Sequence, residues 1–315
     1  MDLLEQKPNV VDRTDVLRKY GDAFSPNKCN WEKSRETLCL RMFPLCTDGK
    51  EYVLEHFNLH VPAGMNVAIV GETGAGKSTL VNLVGRFFEP TKGRILIDGV
   101  DYRERSQLWL HSQIGYVLQN PHLFSGTVRE NIRYGRLDAS DEEIEEAARN
   151  VSADMVVAKM EKGYDSDVGE SGGLLSTGEK QLISFARAVL ANPAIFVLDE
   201  ATSSIDTQTE KLIQDATNHL LKGHTSFVIA HRLSTIRQAD LILVVKDGKI
   251  IERGSHPELL EQKGYYYELY SRQFEEEEAM KVFAGANVRG RNRLGISMPA
   301  INKEKNETSR SVCPV

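Results

Sequence analysis

The stretch that decides the fold of this chain is Gly71-Glu72-Thr73-Gly74-Ala75-Gly76-Lys77-Ser78-Thr79. A short apolar run at residues 67–70 precedes it, and apolar residues recur at helical spacing after it. A strand, a glycine-rich loop and a helix in this order are the context of a phosphate-binding P-loop. Glycines let backbone N–H groups turn toward a phosphate chain where a Cβ would block the approach, and the helix dipole adds positive charge. The stretch therefore predicts a site for a nucleoside triphosphate.

Two side chains of this loop complete the prediction. Lys77 is expected to contact the β- and γ-phosphates as a point charge, and Ser78 is expected to offer its hydroxyl to Mg²⁺. The alternative is a glycine-rich turn with an accidental lysine, and it would require the whole motif and both flanks to match by chance.

Composition limits the classes of protein to consider. The 315 residues suffice for one large domain or two small ones, and 41% hydrophobic residues are ordinary for a soluble globular protein. A net charge of −6 argues against nucleic acid as the main partner. No apolar run approaches the roughly 20 residues that span a bilayer, and the acidic start is no signal peptide, so the chain alone is expected in the cytosol. The cysteines lack the spacing of a zinc site and are expected to be free thiols: Cys29, Cys39, Cys46 and Cys313.

The rest of the chain alternates between strand and helix patterns, which predicts an α/β fold. Strands are predicted at residues 52–61, 93–99, 114–118, 195–198, 225–230, 241–245 and 249–252, and helices within 127–165, at 182–190 and at 209–221. Three polar sites directly follow predicted strands: Gln119, the pair Asp199-Glu200, and His231. Since α/β sheets place their ligands beyond the carboxyl ends of strands, these residues are candidates for the same site as the P-loop.

Together these stretches resemble an ATP-binding cassette, the nucleotide-binding domain of an ABC exporter, over about residues 50–272. The motifs occur in the order of that family: the P-loop, the Q-loop glutamine Gln119, the signature Leu175-Ser176-Thr177-Gly178-Glu179, the Walker B run ending at Asp199-Glu200, the D-loop Ser203-Ser204-Ile205-Asp206 and the switch histidine His231. The resemblance implies a P-loop NTPase (RecA-like) core with an antiparallel β subdomain and a helical signature subdomain. It also implies that residues 71–79 bind ATP.

The resemblance gives each motif a role, and phosphoryl transfer explains the residue types. Transfer from ATP to water needs neutralised charge, an oriented water and a base. Glu200 is the expected general base or water-orienting group, His231 the expected γ-phosphate contact, and Gln119 the expected sensor of Mg²⁺ and the γ-phosphate. The expected Mg²⁺ ligands are Ser78, Gln119 and Asp199.

The signature motif implies a second nucleotide-binding domain. Ser176 and Glu179 form a capping-box pattern before a helix that is expected to end near residues 191–193. In the family, Ser176, Gly178 and Glu179 of one domain would bind the ATP held by another, so we expect a homo- or heterodimer with two ATP at its interface. The motif departs from the usual Leu-Ser-Gly-Gly-Gln at Thr177 and Glu179. Because Gly178 is kept, we expect these departures to be tolerated.

The resemblance also predicts the domain boundaries of the chain and its binding partner. Residues 167–170 resemble a loop through which exporters touch their membrane domain, so the expected partner is the transmembrane domain of an ABC exporter at the cytoplasmic face of a membrane. Residues 1–37 are expected to be a linker from a membrane half, 38–274 the ATP-binding domain, and 275–315 a disordered tail. The chain thus resembles a piece of a longer polypeptide.

Residues 33–47 lack the alternating strand and the adenine-stacking tyrosine that the family has there. Two interpretations remain open. One is a local reading-frame disturbance, with a second shift restoring the frame near Thr47. The other is a divergent edge strand in which Phe43 stacks on adenine.

Two other functions fit parts of the sequence. A soluble ABC protein could act as a nucleotide-dependent clamp or regulator on ribosomes or DNA, but such proteins usually carry two cassettes or a long inserted coiled coil, and neither pattern is seen. A decayed exporter fragment would keep the fold and lose the activity.

Overall fold

The computed structural model describes residues 10–32, 34, 38–42, 45–47, 51–54, 57–90, 93–200 and 207–275. The predicted D-loop at residues 203–206, Phe43 and nearly all of the predicted tail lie outside these ranges. The chain divides into two compact units, Met1–Tyr270 and Ser271–Val315, and the described residues of the second, 271–275, are helical.

The elements of the first unit follow one another as strands interleaved with helices. The strands are β1 Leu38–Met42, β2 Leu45–Thr47, β3 Glu51–Leu54, β4 Phe57–Val61, β5 Asn66–Val70, β6 Gly93–Ile97, β7 Val100–Asp101, β8 Ile114–Val117, β9 Ile195–Asp199, β10 Thr225–Ile229, β11 Leu241–Lys246 and β12 Lys249–Gly254. The helices are α1 Thr14–Tyr20, α2 Lys77–Val84, α3 Gln107–Gln113, α4 Val128–Arg133, α5 Asp141–Asn150, α6 Asp154–Val157, α7 Thr177–Ala191, α8 Thr207–Leu221, α9 Leu233–Gln238 and α10 His256–Gln262. Residues 265–270 are also helical.

A six-stranded sheet with the order β12-β11-β5-β10-β9-β8 forms the centre of this unit. The pairs among β11, β5, β10, β9 and β8 are parallel, whereas β12 is antiparallel to β11. The turn between β11 and β12 is Asp247-Gly248, with φ values of 47° and 69°. Positive φ at both central residues suits the twist of a two-residue hairpin. The predicted α/β fold is confirmed.

Both faces of the central sheet are buried, and β5 shows how. Ala68 and Val70 pack in a cluster with α5 and α7, whereas Val67 and Ile69 pack in a second cluster with α2 and α3. All four side chains are 5% exposed or less. A strand covered on both faces needs a continuous apolar run, and residues 67–70 provide one. The P-loop therefore starts from a rigid, buried strand.

A second sheet is antiparallel and has the order β4-β1-β6-β7. One expectation is wrong here. The strand predicted at residues 52–61 is two strands in different sheets, since β3 pairs with β2 and β4 pairs with β1. The edge-strand interpretation of residues 33–47 is contradicted at residues 38–42, which form an interior strand between β4 and β6, whereas residues 45–47 form β2 in a two-stranded sheet with β3. Alternation along one segment shows neither where a strand is interrupted nor which strands pair with it.

A buried ion pair joins the N-terminal residues of the first unit to the residues that follow α2. Arg86 is completely buried, and its guanidinium donates to Asp12 and to Glu89, each at 2.8 Å. Val16 and Tyr20 of α1 are buried as well, at 2% and 4% exposure. Because a buried guanidinium is costly without charged partners, Asp12 ties the residues before α1 to the residues that follow α2.

The predicted helical region at residues 127–165 is confirmed and contains α4, α5, α6 and a 3₁₀ turn at Gly163–Asp165. Helix α7 ends where predicted, at Ala191, with Asn192 in a left-handed conformation. Among the described residues, no helix combines the length and apolarity needed to cross a bilayer. Cys29 is a free, exposed thiol, whereas the side chains of the other cysteines lie outside the described part of the chain.

Candidate functional site

The P-loop has a backbone that only glycine adopts without strain at several positions. Gly71, Gly74 and Gly76 have φ values of 153°, 84° and 104°. A Cβ on Gly71 would lie 2.2 Å from the carbonyl oxygen of Val245 in the neighbouring strand β11. Glycine is therefore required at Gly71 both by its conformation and by the close approach of β11.

The side chain of Lys77 folds back into the P-loop and bonds to its backbone. Its Nζ donates to the carbonyl oxygens of Gly71 and Glu72 at 2.7 and 2.9 Å, and the residue is only 8% exposed. Burial lowers the pKa of Lys77 below its usual value, and the nearby Asp199 opposes this change. A charged phosphate oxygen in the loop would be a stronger acceptor for this ammonium group than a neutral carbonyl. Ser78, the next residue, is exposed.

The other predicted residues gather at one edge of the central sheet. Strands β10, β9 and β8 are adjacent and parallel, so their carboxyl ends point the same way. Asp199 is the last residue of β9 and Glu200 follows it, while His231 comes after β10 and the exposed Gln119 after β8. The structure thus places all four at the edge where parallel sheets bind ligands.

Lys77, Asp199 and His231 interact electrostatically. Burial raises the pKa of the Asp199 carboxyl, and His231 and Lys77 oppose the change. Burial also lowers the pKa of His231, Lys77 lowers it further, and Asp199 acts in the other direction. A lowered pKa keeps the imidazole of His231 neutral near pH 7, so one ring nitrogen can donate a hydrogen bond without charge.

Glu200 is held by donors on the chain that follows β10. Its Oε2 accepts from the backbone N–H groups of His231 at 3.0 Å and Arg232 at 3.1 Å. Its Oε1 accepts from the hydroxyl of Thr235 at 2.8 Å and lies 3.4 Å from Nε of Arg232. Burial raises the pKa of Glu200, and these hydrogen bonds oppose the rise. A carboxyl group with a raised pKa near a phosphate site is suited to act as a base.

The predicted metal ligands have the right chemistry for Mg²⁺. Ser78 and Asp199 offer a hydroxyl and a carboxylate, and Gln119 offers an amide oxygen. No group of three or more His, Cys, Asp or Glu side chains with metal-site geometry occurs among the described residues. Mg²⁺ usually keeps several waters and binds substrate phosphates together with one or two protein oxygens, so this donor set fits it.

The signature residues form a separate group at the start of α7. The hydroxyl of Ser176 accepts from the backbone N–H of Glu179 at 3.3 Å, and the Glu179 carboxylate accepts from the backbone N–H of Ser176 at 2.9 Å, which confirms the predicted capping box. Thr177 is exposed, whereas Gly178 is buried in the first turn. The side chains of Ser176 and Glu179 bond to each other at the start of α7, whereas Lys77 donates within the P-loop to Gly71 and Glu72.

Sequence reasoning missed two residues of the site, Arg232 and Thr235. Both face Glu200, and Arg232 also lies 3.5 Å from Glu210 on α8. The signal in the sequence was that both residues lie within the four positions after His231, and the apolar pattern of that stretch is too short to interpret. The contact between Thr235 and Glu200 joins residues 35 positions apart, and only the pairing of β9 with β10 brings them together.

Comparison with known proteins gives a consistent result. Residues 54–203 match the family described as ABC transporter. The chain is 54% identical over 228 residues to an uncharacterized ABC transporter ATP-binding protein, YfiC of Bacillus subtilis, covering 72% of this chain and 38% of that protein. It is 51% identical over 228 residues to an ATP-dependent lipid A-core flippase of Salmonella typhimurium, covering 72% of this chain and 39% of the flippase.

A third relative is the fatty acid ABC transporter ATP-binding/permease protein of Mycobacterium tuberculosis, 55% identical over 217 residues, with 69% of this chain and 34% of that protein covered. Among solved structures, a bacterial Atm1-family ABC exporter with ATP bound matches with a TM-score of 0.75 and 39% identity, over 86% of this chain and 46% of the exporter chain. The chain therefore spans less than half of the length of each of these relatives.

Proposed function

This chain carries an ATP-binding domain of the ABC transporter family, and we propose that it binds and hydrolyses ATP to power export through a membrane partner. The observation that supports the proposal best is the convergence of Lys77, Asp199, Glu200 and His231 at the carboxyl edge of the sheet, next to a P-loop. A buried cation, a buried carboxylate and a neutral imidazole in this arrangement match the needs of phosphoryl transfer.

In this proposal the loop binds the triphosphate. The backbone N–H groups of residues 71–79 face the phosphates, and Lys77 exchanges its carbonyl partners for β- and γ-phosphate oxygens. Ser78, Asp199 and Gln119 would hold Mg²⁺, which neutralises charge on the β- and γ-phosphates. His231 donates a hydrogen bond to the γ-phosphate from one ring nitrogen.

Hydrolysis then needs a water molecule and a base. A water attacks the γ-phosphorus, the new P–O bond forms, and the bond from the γ-phosphorus to the bridging oxygen breaks, so ADP leaves with that oxygen. Glu200 accepts the proton of the attacking water. Its raised pKa makes the carboxylate a better base than an exposed glutamate, and its burial limits competition from bulk water.

The signature residues support a dimer in this proposal. Ser176, Gly178 and Glu179 lie at the start of α7, where Ser176 and Glu179 bond to each other in the capping box. A second domain could present its own ATP to them, which places two ATP at the interface. Both a homodimer and a heterodimer fit this arrangement, and the exposed Thr177 does not alter the helix start.

The partner in this proposal is the transmembrane domain of an ABC exporter, and the location is the cytoplasmic face of a membrane. The names of the relatives support an exporter, since they include a flippase and an ATP-binding/permease protein. They do not support a soluble clamp on ribosomes or DNA. We keep the division into a linker at residues 1–37, an ATP-binding domain at 38–274 and a tail at 275–315 as part of the proposal.

Replacement of Glu200 by Gln tests this function. The amide keeps the size of the side chain but cannot accept the proton, so Mg²⁺-dependent release of phosphate should fall by about 100-fold or more while ATP still binds. Glu146→Gln, an exposed change on α5, is the matched control and should hydrolyse at the wild-type rate. A wild-type chain that binds ATP without hydrolysing it would refute the ATPase, and a Glu200→Gln variant at full rate would refute Glu200 as the base.

A further inference from the structure

The contacts of Glu200 are divided unequally between its two oxygens. Oε2 accepts two backbone N–H groups, from His231 and Arg232, and these fill both of its acceptor positions. Oε1 accepts the hydroxyl of Thr235 at 2.8 Å and has a more distant contact to Nε of Arg232 at 3.4 Å. Oε1 is therefore the oxygen with acceptor capacity left for a water molecule.

The orientation of Oε1 depends mainly on Thr235. Arg232 is shared, because its Nη1 lies 3.5 Å from Glu210 on α8 while its Nε faces Glu200. The hydroxyl of Thr235 on α9 donates a short hydrogen bond to Glu200 and, among the described residues, to no other group, and Thr235 is only 8% exposed. The Glu200 side chain is itself 12% exposed, so bulk water cannot easily replace a lost donor.

The same contacts connect Glu200 to the switch histidine. The backbone N–H of His231 binds Oε2, and α9, which carries Thr235, starts two residues after His231. Glu200 and His231 are thus fixed relative to each other by one short stretch of chain. A base that is misplaced by about 1 Å can lose about 100-fold in rate, since hydrolysis requires an aligned water.

We propose that Thr235 is a positioning residue for hydrolysis, whose hydroxyl holds Oε1 of Glu200 in place to receive the proton of the attacking water. The inference rests on the proposed ATPase and adds a residue to it. Thr235 acts through Glu200 and does not touch the nucleotide, so its loss should affect the chemical step and leave ATP binding unchanged.

Three variants of the whole chain test this role. Thr235→Val keeps the shape and removes the donor, whereas Thr235→Ser keeps the donor and removes a methyl group. The matched control is Thr217→Val, because Thr217 is also 8% exposed and, within the described part of the chain, its hydroxyl donates only to the carbonyl of Ile213 in its own helix, at 2.8 Å. ATP hydrolysis is measured over a range of ATP concentrations, and ATP affinity is measured by calorimetry.

Thr235→Val should lower kcat by about 10- to 100-fold, the effect of a lost hydrogen bond to a charged group, with KM and ATP affinity within about twofold of wild type. Thr235→Ser should retain kcat within about threefold, and Thr217→Val should match the wild type. Thr235→Ala provides a second variant without the hydroxyl if the valine variant folds poorly.

The inference is overturned if an active wild-type chain and its folded Thr235→Val or Thr235→Ala variant have the same kcat. It is also overturned if Thr235→Ser loses as much activity as Thr235→Val, because the methyl group would then matter instead of the hydroxyl. A wild-type chain without ATPase activity would refute the proposed function, and the inference with it.

Discussion

At the scale of single residues, Lys77 is the side chain on which ATP binding depends most directly. Its ammonium group already donates two hydrogen bonds inside the loop, so the donor is held in position before phosphate arrives. Lys77→Ala should weaken ATP binding by about 10- to 100-fold through the loss of charge-assisted contacts. Calorimetric titration with Mg²⁺ and ATP measures this, and Lys159→Ala, an exposed change, serves as the control. Equal affinity in the two variants would refute the role of Lys77.

The residues of the candidate site were largely predictable because each directly follows a recognisable strand. Asp199, Glu200 and His231 come after buried apolar runs, and the carboxyl ends of adjacent parallel strands lie together in any α/β sheet. The hydrogen bond from Thr235 to Glu200 could not be predicted, since no spacing within a single segment encodes a contact between side chains 35 positions apart. The roles of all these residues stay predictions.

At the scale of elements, α5 and α7 both begin with a capping box. Ser140 caps α5 and Ser176 caps α7, each within a capping box that a glutamate three residues later completes. Ser140→Ala and Ser176→Ala should each lower the free energy of unfolding by about 1 kcal/mol. Only Ser176→Ala should also reduce ATP hydrolysis, because only α7 carries the signature. Denaturant unfolding and phosphate release separate the two effects. Equal rates of ATP hydrolysis in the two variants would show that Ser176 does not contribute to the ATP site.

The packing of α10 against the helical residues 265–270 predicts a pH dependence of stability. Nδ1 of His256 lies 2.6 Å from the hydroxyl of Tyr266, and burial and then Arg237 lower the pKa of His256. The unfolded chain therefore takes up the proton first. The stability that the neutral ring contributes is present above about pH 6.5 and is lost as the pH falls below that value.

His256→Gln cannot take up this proton. Between about pH 7.5 and about pH 5.5, its free energy of unfolding should fall less than that of the wild type, as measured by urea unfolding at each pH. His219→Gln, an exposed change on α8, should follow the wild type. If the free energy of unfolding falls equally in all three proteins between these pH values, protonation of His256 does not contribute to the pH dependence of stability.

The elements themselves were predictable to different degrees. The start and end of α7 follow from local chemistry, namely the capping box at Ser176 and the left-handed Asn192, so the sequence sufficed. The predicted strand at residues 52–61 failed, because its interruption depends on β1 and β2, two partners elsewhere in the chain. The proposed reading-frame disturbance at residues 33–47 stays a prediction, although residues 38–42 do form a regular strand there.

At the scale of the whole molecule, the alternation of strands and helices predicted an α/β fold but not the strand order. The P-loop strand β5 lies between β11 and β10, which come far later in the chain. Such an order arises from long-range packing that no local pattern contains. The Asp12–Arg86 ion pair is a similar case, since it joins the N-terminal segment to the end of the P-loop helix α2.

The dimer proposed above leads to a prediction about assembly. In that proposal the P-loop of one domain, where Lys77 donates to Gly71 and Glu72, holds the ATP that Ser176 and Gly178 at the start of α7 of a second domain contact. Glu200→Gln in Mg²⁺ and ATP should keep its nucleotide and therefore stay dimeric. Gel filtration with light scattering should give twice the 35.3 kDa of one chain, against a monomer without nucleotide.

The double change Lys77→Ala with Glu200→Gln provides the control for this experiment. It removes the ammonium group that holds the phosphates, so it should stay monomeric at the same ATP concentration if the nucleotide joins the two domains. Adding Ser176→Ala to Glu200→Gln should weaken the dimer without abolishing binding of ATP to the monomer, because Ser176 would contact only the ATP of the partner. A Glu200→Gln variant that retains ATP and elutes as a monomer would refute a homodimer. It would leave a heterodimer, in which the second domain comes from a different chain, as the arrangement that still completes the site.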